Sequence, residues 1–201
     1  MPVQVVRLPD DKPRGYAELA DYLLPQLPAE SFVLIAESFS GPLAVLLANQ
    51  CPSVAAVVLC ATFVRPPLPA LRYLPDFIWR TPPPAILLSH LMAAGNRSLG
   101  RALHDAVLSL DPSIIASRIA TALRVDVSAD LARVTQPLLC LRATQDRLVL
   151  PRSIKQIADA KPNVNVVNID APHLVLQSCP VDCWHAVRAF LERSSLVQSP
   201  T

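Results

Sequence analysis

Glycine is scarce in this chain: four residues in 201, set against 21 prolines. None precedes Gly15, which excludes a glycine-rich loop near the start. Long apolar runs are missing as well. No stretch approaches the ~20 residues a membrane-spanning helix needs, so no membrane span is expected. The opening residues lack a charged segment followed by an apolar one, so the reading is of a chain without a signal peptide. Charge of one sign is missing too. A net +2 supplies no basic patch and argues against nucleic acid as a partner. The five cysteines are odd in number and scattered, which fits reduced thiols in a cytoplasm better than a disulfide framework. Cys179 and Cys183 are four apart, but no second Cys/His pair lies at ligand spacing, so neither a metal nor any other cofactor is expected.

What is present is core material. Apolar residues make up 52% of the chain, charged residues 17%, and the mean hydropathy is +0.36. That is ample for one domain and high for a soluble monomer. Short β-branched runs recur at residues 3–8, 32–36, 55–60, 137–142 and 163–169. Helical spacing lies between them: Tyr16, Leu19, Leu23 and Leu27, then Leu43, Leu46 and Leu47. A last helix over 181–193 sets Trp184, Val187 and Leu191 against Arg188 and Glu192. Strands alternating with helices predict an α/β fold with a mostly parallel sheet of about five strands. Residues 65–127 break the alternation. They open with "RPPLPALRYLPDFIWRTPPPA" and continue as helical stretches near 86–94, 99–110 and 112–123. A helical cap inserted into a core made of 1–64 and 128–201 is the expectation, with residues 194–201 a frayed tail.

The stretch "FVLIAESFSGPLAVLL" carries the chemistry. A strand runs into Ser38 and a helix follows at once. Ala36 and Ser40, two before and two after, are small enough for strand and helix backbones to pass closely, as a nucleophile elbow requires. A turn serine with no chemistry is the alternative. Two partners later in the chain favour the nucleophile. "LLCLRATQDRLVLP" puts Asp146 just past a strand end, and "NIDAPHLVLQ" does the same for His173. Serine needs an adjacent base, itself held by a third group. Asp126 and Asp130 are the alternative acids. His90, His104 and His185 read as packing or surface residues, and Glu37 and Asp10 are given no role in proton transfer.

In the order Ser38, Asp146, His173, the chain resembles the α/β-hydrolase superfamily, in particular its small esterase-like members. "ESFSGPLA" matches the elbow, "ATQDRLV" the acid loop and "APHLVLQ" the histidine loop; the likeness covers residues 3–64 and 128–193. The resemblance implies a carboxylesterase-type serine hydrolase acting on small to medium apolar esters, with Ser38, Asp146 and His173 catalytic and the Phe39 backbone N–H in the oxyanion hole.

One part of the family pattern is missing. Members have about three strands before the elbow's preceding helix, and one carries the loop that completes the oxyanion hole. Only residues 3–8 stand there in this chain, and they correspond best to the family's fourth strand. Either the earlier strands are lost, or residues 3–8 slide in beside 32–36 and the loop 9–12 donates the second N–H. Strands adding in one direction put their crossover helices on one face. Apolar sheet is then left for a homodimer or larger assembly to cover.

Overall fold

The structure, a computed structural model, describes residues 3–81 and 83–194. Apart from Ser194, the expected tail lies outside the described residues. In chain order the elements are α1 (Tyr16–Leu23), β1 (Phe32–Glu37), α2 (Ser40–Gln50), β2 (Val54–Cys60), α3 (Ala85–Met92), α4 (Arg97–Leu108), α5 (Pro112–Ala122), α6 (Ser128–Arg133), β3 (Leu138–Ala143), α7 (Pro151–Ala160), β4 (Asn165–Ile169), α8 (Val175–Ser178) and α9 (Pro180–Arg193). Short 3₁₀ turns at Pro69–Tyr73 and Asp76–Arg80 precede α3.

The four strands pair in the order β1-β2-β3-β4, all parallel. Each step moves the same way across the sheet, so the right-handed crossovers α2 and α7 share one face. There Leu43, Leu47, Ile154 and Ile157 pack with Val57, Leu59 and Cys140, and α1 and α6 join the same cluster. The opposite face, Ala56, Val58, Leu139 and Leu141, is covered by α8 and α9. As in most parallel sheets, the central strands are buried on both sides and read as unbroken apolar runs. Ile35 of β1 remains 45% exposed, while Val33 of the same strand packs against the α8–α9 cluster.

Two expectations are corrected. Residues 3–8 form no strand, so among the described residues the sheet has four strands rather than about five. Val3 and Val5 are almost fully exposed, while Val6 and Leu8 pack against the α1–α2 side. A β-branched run pairs as a strand only where its surroundings bring it to an edge, and here Arg118 of α5 holds the following carbonyl, Pro9 O, at 3.0 Å, away from the open edge of β1. On α9, Trp184 is half exposed, whereas Cys183, Val187, Phe190 and Leu191 enter the core. Their i, i+4, i+7, i+8 spacing gives the buried stripe, and the Arg188–Glu192 ion pair lies on the outer side.

All five cysteines are free thiols. Burial pushes Cys140 up to about 12 and Cys183 up to about 11. Between β2 and β3, the described residues of 65–127 carry no strand. Asn96 caps α4 by accepting from the Ser98 and Leu99 amides, and Asp111 caps α5 ahead of Pro112.

Candidate active site

β1 ends at Glu37 and α2 starts at Ser40, leaving two residues to turn the chain. Ser38 makes the turn with φ 53°, a left-handed conformation that strains a residue with a Cβ. Neighbours hold it there. Its N–H donates to Cys60 O at 3.0 Å, and Thr62 Oγ1 donates to Ser38 O at 2.5 Å. Thr62 comes so close that a Cβ on residue 41 would lie 2.0 Å from its Oγ1, so Gly41 is the residue that lets β1, α2 and Thr62 meet.

The strain aims Ser38 Oγ at His173, whose Nε2 is 2.7 Å away. His173 Nδ1 lies 2.7 Å from Asp146 Oδ2. The imidazole is 1% and the carboxylate 2% exposed. Asp146 does not swing freely, because its Oδ1 accepts from the Leu148 and Val149 amides at 2.8 and 2.9 Å. The loops carrying the acid and the imidazole are also joined. Thr144 and Gln145 both donate to Asp170 at 2.9 Å, and Gln145 N donates to Ala171 O at 3.0 Å. Those donors hold the Asp170 carboxyl below the usual carboxylate range, Gln145 contributing most.

Ser38, Asp146 and His173 are thus brought together. The alternative acids are engaged elsewhere: Asp126 with Arg65 and the Ser128 amide, Asp130 with Arg133. His185 is exposed on α9, His104 faces Asp105, and His90 on α3 meets Arg147, the neighbour of Asp146. Among the described residues no group of three His, Cys, Asp or Glu is placed to hold a metal ion.

Phe39 stands at the N-cap of α2, so its amide N–H is at the positive end of the helix dipole. Tyr16 fixes it: the rings stack at 4.8 Å, and the Tyr16 hydroxyl donates to Phe39 O at 3.0 Å. Burial drives the Tyr16 hydroxyl far above its ordinary pKa, so it stays a neutral donor. Tyr16 also lines a cavity of about 670 Å³, together with Pro13, Arg80, Ser117, Thr121 and Val125. The lining mixes polar and apolar side chains.

Three contributors went unread in the sequence. Thr62 and Tyr16 touch the elbow from 24 and 23 residues away, and no local pattern announces such contacts. Glu37 had a visible signal, its place beside Ser38, but no visible partner. Its carboxylate accepts from Leu176 N at 3.0 Å and from Gln177 Nε2 at 2.8 Å.

Known structures share this arrangement of elements. An enol-lactonase from Burkholderia xenovorans superposes with a TM-score of 0.73 at 20% identity, covering 89% of this chain and 74% of that one. An esterase from Thermogutta terrifontis gives 0.69 at 21%, covering 90% and 74%. A bromoperoxidase from Bacillus anthracis gives 0.71 at 18%, covering 89% and 74%. At such identities the likeness is one of fold. No curated protein matches the sequence. A family model described as "Alpha/beta hydrolase family" matches residues 6–186, and a match of that length, on a parallel sheet with a strained serine at a strand–helix turn, means that the chain belongs to this family.

Proposed function

We propose that the protein is a serine hydrolase cleaving carboxylic esters of small to medium apolar substrates. The observation that carries this reading is the continuous line of short contacts from Ser38 Oγ through His173 to Asp146, each 2.7 Å. With Nδ1–H donating to Asp146, His173 Nε2 is free to take the Ser38 proton. Ser38 Oγ attacks the ester carbonyl, and the Phe39 N–H stabilises the oxyanion. His173 returns the proton to the leaving alcohol. A water molecule, activated by the same imidazole, then hydrolyses the acyl-enzyme. Asp146 keeps the imidazole in its tautomer and stabilises the imidazolium.

Residues 65–127 act as the cap in this reading, with the cavity beside Tyr16 as the substrate approach. The esterase and enol-lactonase neighbours support carbonyl-ester chemistry, lactones included. A fluorophosphonate probe is expected to label the wild type and leave Ser38→Ala unlabelled, with p-nitrophenyl butyrate turnover falling by about 10⁴-fold or more in that variant. A folded wild type that takes no label overturns the proposal.

A second reading has its own support. Among the described residues no strand lies beyond β1, where the family's oxyanion loop is carried. A missing donor lowers kcat by about 100- to 1000-fold, which describes a binding module with residual turnover. A folded protein that takes no label would favour the binding module, whereas labelling combined with very slow turnover would indicate an intact triad beside a weak oxyanion hole. Two further proposals concern the whole protein. Five free thiols support a reducing compartment such as the cytoplasm. Ile35 on the open edge strand and Trp184 on α9, each nearly half exposed, support a homodimer, which a clean 22-kDa monomer on gel filtration would refute.

A further inference from the structure

We infer that Glu37 is a positioning residue that sets the contact between Ser38 and His173. The inference rests on the serine-hydrolase reading above and concerns how its nucleophile and base are kept in register.

The difficulty is topological. His173 follows β4 and Ser38 follows β1, and these strands lie at opposite edges of the sheet, with β2 and β3 between them. The histidine loop therefore has to reach back across two strands. Its bonds on the β3 side are several: Thr144 and Gln145 to Asp170, Gln145 N to Ala171 O, and Asp146 to His173 itself. Toward residues 65–127, Leu174 N donates to Met92 O at 3.0 Å. At the β1 end the described polar ties are the Ser38–His173 contact and the two bonds made by Glu37.

Glu37 is suited to this task by position and by chemistry. It is the last residue of β1, fixed by register opposite Cys60, and the next residue is the strained Ser38. Its carboxylate spans to Leu176 and Gln177, three and four residues past His173. The Leu176 amide belongs to the first turn of α8, whose own N-cap, Leu174, provides no side-chain acceptor. Glu37 thus supplies from β1 the acceptor that α8 lacks, through bonds strengthened by the ionised oxygen. A strut running from residue 37 to residues 176–177 fixes residue 38 against residue 173. The hydrogen bonds of Glu37 go to Leu176 and Gln177 and not to the imidazole, so it acts through geometry.

The test is Glu37→Ala beside Glu37→Gln and Gln177→Ala, each checked for folding by circular dichroism. Glu37→Ala is expected to lower kcat for p-nitrophenyl butyrate about 10- to 100-fold with KM within about twofold, and to slow fluorophosphonate labelling by the same factor. The acid limb of the pH–rate profile is expected to stay in place, because the His173–Asp146 pair is intact. Glu37→Gln, which keeps an oxygen for the Leu176 amide, is expected to recover most of the rate, and Gln177→Ala to lose only a few-fold. Imidazole ¹⁵N spectra give a readout independent of turnover: in Glu37→Ala the His173 Nε2 resonance shifts or broadens while Nδ1 keeps its wild-type position. An inert wild type would sink the hydrolase reading without touching these spectra. An unchanged Nε2 resonance, or a Glu37→Ala rate within twofold of wild type, overturns the role of Glu37.

Discussion

Ser38 occupies a backbone conformation that its side chain resists, and the surroundings maintain it through Cys60 O, Thr62 and the absence of a side chain at Gly41. A left-handed residue with a Cβ costs about 1–2 kcal/mol, partly offset in glycine by its larger unfolded-state entropy. Of two variants that lack the Ser38 hydroxyl, Ser38→Gly is therefore expected to be more stable than Ser38→Ala by about 0.5–1 kcal/mol. Urea denaturation of both checks this, and equal midpoints would mean that the elbow stores no strain. The need for small neighbours was legible, since Ala36, Ser40 and Gly41 are adjacent in the chain. The reason for glycine at 41 was not, because Thr62 arrives from the far end of β2.

The elements that hold the imidazole show where sequence reading reaches and where it stops. Strands β1 to β4 were legible within one or two residues, since each is a short apolar run followed by a loop. Residues 3–8 carry the same composition and are not a strand although the outer edge of β1 is open, because the packing of Val6 and Leu8 on the α1–α2 side and the bond from Arg118 to Pro9 O hold the segment elsewhere. Trp184 also departs from its reading: helical spacing set it on one face with Val187 and Leu191, but the sheet beneath α9 takes the stripe through Cys183, Val187, Phe190 and Leu191. The tie at Asp170 was invisible, though its pH behaviour follows from the structure. Its donors favour the charged form, so its contribution is present above the usual aspartate value near 3.9 and is lost as pH falls through the lowered folded value. Wild type is expected to melt higher than Asp170→Asn at pH 6, and the gap is expected to close below about pH 4. A gap that stays constant down to pH 2 would show that the carboxylate's charge is irrelevant.

At the scale of the molecule, the sheet grows in one direction from β1, and α9 with the short α8 serves its second face. Among the described residues the strand that ends at Ser38 is accordingly bonded on one side only, whereas β2 and β3 are flanked on both. Amides on an outer strand open in small fluctuations that leave the rest of the protein native, at a lower free energy than global unfolding. Ester turnover is therefore expected to vanish at a lower urea concentration than the far-ultraviolet circular dichroism signal, and deuterium is expected to enter β1 before β2 and β3. Coincident curves would place β1 inside the cooperative core. If they separate, loss of activity in this protein is a local melting event, reversible long before the fold is lost.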